Sequence, residues 1–385
     1  MPSIVELLKD ESLRQSEFPV ARKQVYLAHA GICPLPRRVA DRMAGYLSAS
    51  QSSDQETAAG SIVEDTRRSV ADLLKVDPDE VALTGSTSNA LSLVAAGFPF
   101  RAGDNVVIYR DDYPSNVYPW LALQAREVEV RSVEVSRLGC ISVDDVLKQV
   151  DGRTRLVALA SCHYLSGFRI DLDTIGWALH GRGIALCVDG IQSVGAFPTS
   201  LAQVDFMAAD SRKWLLGPGA AGVLHVSEEW QDRLRPTGWG WNNLDCPGFV
   251  ARDRLEFRPG ARRYEAGTAN LLGLVGLNTA VKLILDIGVS AIGAELNRKR
   301  AYLIEGARRA GYEPVVDEAA GAAWGGMLSI THPRRDIAGV FEILGKMKVR
   351  ASLREVRSGQ KYIRFSPHFY NTDAELDAAL AGLSA

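Results

Sequence analysis

From residue 64 to residue 226 the chain alternates short apolar runs with stretches of helical spacing, without an internal sequence repeat. Glu80–Thr84, Asn105–Tyr109, Glu127–Val133, Leu156–Ala160, Ala185–Asp189, Phe206–Ala209 and Gly222–Val226 read as strands. Glu64–Leu74, Thr87–Ala96, Asn116–Gln124, Val143–Val150 and Leu172–His180 read as the helices among them. Several of the strands are apolar at every position, which suits strands covered on both faces. The alternation therefore predicts an α/β fold, a large, mostly parallel, seven-stranded sheet wrapped by helices. Such sheets present ligands at the carboxyl ends of their strands.

After residue 268 the pattern changes. Two long helical stretches, Leu271–Ile287 and Ser290–Ala310, precede strands near Gly326–Thr331 and Tyr362–Ser366 and closing helices at Ile337–Leu344 and Asp373–Leu383. The expected organisation is an N-terminal arm over 1–24, a large domain over 25–268 and a smaller C-terminal α+β domain over 269–385. Pro236–Gly267, rich in Gly, Trp and Arg, is too long and too aromatic for an idle linker.

The charge balance, 44 basic against 46 acidic residues, lacks the basic excess of a nucleic-acid or polybasic membrane-surface protein. Asn278, Lys282 and Asp286 interrupt the longest apolar run, so no membrane span is expected. The opening MPSIVELLKDESLR reads as a mixed-charge amphipathic helix rather than a signal peptide. Five widely spaced cysteines, without zinc-ligand spacing, suit a reducing, cytoplasmic location and no metal site.

The window Ala185–Gly222 carries the chemistry. One apolar strand delivers Asp189 at its end, with Gln192 a turn beyond, and the next delivers Ser211, Arg212 and Lys213. Singly, Asp189 reads equally well as a helix N-cap and Lys213 as a surface charge. Together, with Trp214 and a Gly-Pro-Gly turn behind the lysine, they suit a pyridoxal phosphate site. There a lysine forms a Schiff base with the aldehyde and an aspartate keeps the ring nitrogen protonated.

Three separated motifs carry a resemblance: Val188-Asp189-Gly190-Ile191-Gln192, the run Ser211 to Gly222 (SRKWLLGPGAAG), and Arg364-Phe365-Ser366-Pro367-His368-Phe369-Tyr370-Asn371-Thr372. In them, from about Tyr26 to Leu380, the sequence resembles the class V aminotransferases of fold type I. That group includes cysteine desulfurases, kynureninases and isopenicillin N epimerase-like proteins. The resemblance implies that Lys213 holds the cofactor and moves protons, that Asp189 pairs with the pyridine nitrogen, and that Gln192 donates to the phenolic oxygen. Thr87 and Ser88, at a strand-to-helix turn, match phosphate contacts, as does Ser211. Arg212 stands where the family usually has histidine and can still contact phosphate. Thr268, in Glu265–Asn270, matches a threonine that reaches the partner's phosphate, which implies a homodimer. Tyr113 takes the ring-stacking place usually held by histidine, as in the epimerase-like branch. Arg364 is expected to grip the substrate α-carboxylate, with His29 and Arg354 as further substrate contacts and His163 near the site.

The resemblance implies an amino acid substrate and leaves the reaction open. A desulfurase needs a thiol on the loop before the closing arginine, yet no cysteine follows Cys246, and only Cys33 or Cys162 could otherwise approach. The first reading is an aminotransferase. The second is a C–S lyase or epimerase without net transfer, and the third a catalytically degenerate regulator that still binds the cofactor.

Overall fold

The computed structural model describes residues 3–316 and 323–385. A short strand β1 (Val25–Tyr26) precedes the seven strands of the large sheet: β2 (Val81–Thr84), β3 (Asn105–Ile108), β4 (Glu129–Ser132), β5 (Thr154–Ala160), β6 (Ala185–Asp189), β7 (Phe206–Asp210) and β8 (Gly222–Val226). They lie in the order β2-β8-β7-β6-β5-β3-β4. All neighbours are parallel except at β8, which is antiparallel to both β2 and β7. β3, β6, β7 and β8 are buried at every position, as strands covered by helices on both faces must be.

Two expected helices come out differently. Over Asn116–Gln124 the chain forms a 3-10 turn (Pro114–Asn116), a single helical turn (Tyr118–Leu121) and another 3-10 stretch (Ala122–Arg126). Pro114 and Pro119 have no N–H, so each is tolerated only where a new turn begins. The N-terminal helix is two, Ile4–Lys9 and Glu11–Glu17, because Asp10 leaves helical geometry and caps the second through Leu13 N–H. Met1 and Pro2 of that opening segment lie outside the described residues.

A second sheet follows, from β9 (Glu313–Pro314), β10 (Leu328–Thr331), β12 (Ser352–Glu355) and β13 (Lys361–Phe365), in the order β12-β13-β10-β9, while β11 (Val349–Arg350) pairs in parallel with β1. The helix Leu271–Ile287 packs against Arg37–Ala49 and Ile62–Leu74 and belongs to the core under the large sheet. The core of the second sheet joins Leu303, Ile304, Leu328, Ile363, Phe365 and, from the other end of the chain, Leu27. Among the described residues no single helix is long and apolar enough to cross a membrane; Leu271–Ile287 and Val289–Arg309 meet at 78°.

Two buried polar arrangements tie distant parts of the chain. Glu265 accepts hydrogen bonds from Arg67 Nη1 at 2.7 Å and Leu83 N–H at 2.8 Å, clamping the segment before Thr268 to β2. His29 bonds Ser366 O through Nδ1 (2.9 Å) and the Tyr370 hydroxyl through Nε2 (2.7 Å), while His368 bonds Trp214 O through Nε2 (3.0 Å) and accepts Phe369 N–H at Nδ1 (3.0 Å). Both rings are fully buried. Burial pushes His29 down to about 4 and His368 well below the ordinary histidine range, so both are neutral in the folded protein.

Glu265→Ala leaves the Arg67 guanidinium buried with only the longer Glu64 contact at 3.7 Å and the Val81 carbonyl, and is expected to destabilise the fold by about 3 kcal/mol, measured as a lowered denaturation midpoint. For the histidines, the unfolded chain binds protons below about pH 6.5 that the folded protein refuses. Their stabilisation is complete above that pH and is lost as pH falls toward 4, at roughly 1.4 kcal/mol per pH unit for each ring. A melting temperature that stayed level from pH 7 to pH 4.5 would contradict this.

Candidate active site

Because β2 and β7 both run antiparallel to β8 between them, the carboxyl ends of β2, β3, β4, β5, β6 and β7 share one edge of the sheet. Asp189 closes β6 beside Ala208 of β7. Asp210 closes β7 opposite Gly222, which also pairs with Thr84 at the end of β2. The register thus sends the Ser211–Lys213 turn and the helix Thr87–Gly97 out from neighbouring positions. Backbones approach closely here: a Cβ on Gly222 would lie 2.9 Å from Ala209 O, and one on Gly217 would lie 2.6 Å from Ser211 Cβ. Leu216 (φ +59°) and Ala220 (φ +57°) hold left-handed backbone within the same turn, a costly conformation outside glycine.

Lys213 and Asp189 are both buried, 4% and 2% exposed, and Lys213 Nζ stands 5.3 Å from the centre of the Tyr113 ring. Burial lowers the affinity of the Lys213 amine for its proton, and the nearby guanidinium charges of Arg364, Arg212 and Arg354 lower it further, against the pull of Asp189. Burial raises the Asp189 carboxyl, and the Asp112 charge adds to the rise. An amine held toward its neutral form is the state a nucleophilic or proton-accepting lysine requires. Asp112, pushed up to about 6 by burial, accepts from Asn116 Nδ2 at 3.0 Å and Tyr113 N–H at 2.7 Å and so fixes the turn that presents the ring. Sequence reasoning gave Asp112 no role; its signal was an acid placed just past an apolar strand, next to Tyr113.

Gln192 is oriented at both ends. Its Nε2 donates to Ala30 O at 3.1 Å and its Oε1 accepts from Trp214 Nε1 at 2.9 Å, which leaves one amide hydrogen for a ligand. The tryptophan after the lysine is thus a polar partner as well as buried bulk.

At the phosphate end, Ser86 caps the helix by accepting Asn89 N–H at 3.2 Å. The Oγ atoms of Thr84 and Thr87 and the Nε of Arg212 are buried with no hydrogen-bond partner among the described residues. Ser88 is exposed and donates to Ser115 Oγ at 2.7 Å. Ser211, expected to lend a hydroxyl to phosphate, instead donates to Pro218 O at 2.5 Å within its own turn, so its proton points away from that task. Thr268 is exposed, on a segment held by Glu265 behind it and by Asn270 Nδ2 donating to Ala220 O at 3.1 Å ahead of it.

At the opposite end, Arg364 on β13 is 1% exposed. It donates from Nη1 to Tyr164 O at 2.5 Å, while its Nε and Nη2 are buried without partners among the described residues. Burial, reinforced by the Arg354 charge, pushes it down to about 9. Arg354 likewise has a buried, unpartnered Nε. His29 does not reach a substrate: both ring nitrogens are bonded inside the core, so the expected contact is replaced by a structural one. His163 is buried too, between Ser166 Oγ and Asp111 O at 3.1 Å each. The thiols of Cys33 and Cys162 are pushed up to about 12 by burial and stay protonated.

These residues fit pyridoxal phosphate. The orphaned Thr87 hydroxyl stands at a helix N-terminus that suits a phosphate, and the orphaned Nε of Arg212 lies on the turn after β7, which pairs through Gly222 with β2. Lys213 and Asp189 suit the aldehyde and ring nitrogen, and Tyr113 suits the ring face.

Comparison with known proteins agrees. The family model described as aminotransferase class-V matches residues 25–379. A probable cysteine desulfurase of Methanothermobacter thermautotrophicus is 31% identical over 74% of this chain and 72% of its own length. The uncharacterized aminotransferase YcbU of Bacillus subtilis is 31% identical over 84% and 83%. Isopenicillin N epimerase of Streptomyces clavuligerus is 26% identical over 91% and 92%. Among solved structures, the cysteine desulfurase of Thermococcus onnurineus superposes with a TM-score of 0.88 at 22% identity over 97% of both chains. A C-DES mutant with glycine covalently linked to its PLP cofactor superposes equally well, at 0.88 and 19% identity, over 96% of this chain and 98% of its own. The architecture is that of the fold type I enzymes, and the chain belongs to the class V aminotransferase family, whose cofactor is pyridoxal phosphate.

Proposed function

We propose that the protein is a pyridoxal-phosphate-dependent aminotransferase acting on an amino acid. The observation that supports this is the state of Lys213, which is buried with its amine held toward the neutral form. The rings of His29, His163 and His368 are fully hydrogen-bonded, and the thiols of Cys33 and Cys162 stay protonated. Moving a proton along one face of the substrate needs one base, whereas two-base epimerisation needs one on each face and desulfuration needs a thiolate.

When bound, the cofactor supplies an electron sink that stabilises charge developing at the substrate Cα. Lys213 Nζ takes and returns the proton at that carbon. Asp189 holds a proton at the ring nitrogen, and Gln192, fixed by Trp214 and Ala30, offers its remaining amide hydrogen. Tyr113 stacks on the ring, and Arg364 takes the α-carboxylate in its planar fork. Thr87, Ser88 and Arg212 receive the phosphate, with Ser211 joining only if its hydroxyl turns from Pro218. A lyase or epimerase is the second reading, favoured by Tyr113 and by the likeness to isopenicillin N epimerase along nearly the whole chain.

We further propose a homodimer in which Thr268 serves the partner's phosphate. Thr268 is exposed beside the Lys213 turn, and the preceding stretch exposes Trp239, Trp241, Phe249, Val250 and Leu255, an apolar patch of the kind that marks an interface. The five unpaired thiols support a cytoplasmic location.

An amino acid panel followed by visible absorption tests the reaction. One amino acid should convert the cofactor to its amine form and a keto acid should restore it; recovery of inverted or cleaved amino acid in place of a keto acid would sink the transferase reading. Lys213→Ala should lower turnover by about a thousandfold or more and abolish borohydride labelling of the chain. Arg364→Lys should raise KM by roughly tenfold or more, since an ammonium cannot reproduce the bidentate fork. Light scattering should return twice the mass of one chain; a monomer carrying bound cofactor would rule out the role of Thr268.

A further inference from the structure

The carboxylate end of the site holds more positive charge than one carboxylate can use. In the pairing of β12 with β13, Ser352 faces Arg364 and Arg354 faces Tyr362. Arg354 and Arg364 are therefore diagonal neighbours on the same face, about 7–8 Å apart at the backbone and within reach of each other's long side chains. Both carry a buried Nε with no partner, and Arg364 a buried Nη2 as well. Among the described residues, no carboxylate pairs with either. The contrast lies three residues on, where Arg357 ends on the Asp111 carboxylate at 2.6 Å.

The Arg354 guanidinium also reaches the N-terminal segment. A Cβ on Gly31 would lie 3.5 Å from its Nη2 and 3.6 Å from Ser352 Oγ. Gly31 directly follows Ala30, whose carbonyl holds Gln192. Arg354 thus sits between Arg364 and the N-terminal segment that orients the ring-binding amide, and both guanidiniums act on the Lys213 charge. Two unpaired guanidiniums on one face repel each other, and a dianion spanning them removes the repulsion while satisfying the orphaned donors.

Resting on the amino acid reading above, we infer that the substrate is a dicarboxylic amino acid of the aspartate or glutamate type, with Arg364 holding the α-carboxylate and Arg354 the side-chain carboxylate. Arg354 is then a specificity-determining residue. It lies on the edge strand of its sheet, so its replacement leaves the core intact.

Unreactive analogues read this preference without turnover. The cofactor-loaded protein is titrated calorimetrically with succinate and glutarate, and with propionate and butyrate as the monocarboxylates of matching length. At least one diacid should bind about tenfold or more tightly than its monoacid, and Arg354→Met should erase that difference while circular dichroism stays unchanged. Equal affinities for diacids and monoacids, or a preference that survives Arg354→Met, would overturn the proposal. So would tight binding confined to 3-phosphonopropionate, which would assign the second site to a phosphate-like group. An enzyme that turns over monocarboxylic amino acids without preferring diacids loses only this assignment. A diacid preference in a protein that turns over no amino acid refutes the functional reading and leaves the subsite standing.

Discussion

Everything at this site depends on keeping an amine, two carboxyls and a guanidinium out of water together. Asp189 ends β6, Asp112 and Lys213 lie on the turns beyond β3 and β7, and Arg364 lies within β13; all four are buried, and each would be costly there alone. Their mutual fields decide which remain charged. Three guanidiniums and burial hold Lys213 toward its neutral form, while burial and Asp112 hold Asp189 toward its protonated form. A protonated ring nitrogen opposite Asp189 would favour its ionised form, so the bound cofactor completes a charge set that the protein leaves unfinished.

The parallel sheet makes this gathering possible. Buried strands can carry functional groups only where they end, and the strand order brings six carboxyl ends to one edge. The second sheet then closes the site from the other side with Arg364 and Arg354. Between the two runs the segment Leu27–Cys33. It extends β13 through Leu27 and His29 bonds to Ser366, holds Gln192 through Ala30, and reaches Arg212 O through Cys33 N–H at 2.7 Å.

The sequence was most legible where composition is most one-sided. The strands of the large sheet, the paired Asp189 and Lys213, and the strand-to-helix turn at Thr87 follow from apolar runs and what ends them. β1, β9, β11 and β12 were not predicted, because two- and four-residue strands carry almost no periodicity and because β1 finds its partner more than three hundred residues away. His29 misled for the same reason: nothing near it in sequence reveals that Ser366 and Tyr370 enclose it. The hydroxyl of Ser211 is likewise decided by a carbonyl seven residues on, within a turn whose shape is set by backbone crowding at Gly217. The Trp214–Gln192 bond joins two motifs that were each legible, but the link between them needed coordinates.

The tie between His29 and Ser366 spans 337 residues and constrains how the molecule is made. A chain emerging from the ribosome can assemble its large sheet early, since those strands are close in sequence. The segment that orients Gln192, however, has no partner strand until residues 349–366 have been synthesised. A chain assembled from its N-terminus would therefore hold Lys213 in place before the segment that bonds Gln192 had its own partner. Losing the end of β13 would remove the Ser366 bonds to Leu27, His29 and Ala30, beside the carbonyl that holds Gln192.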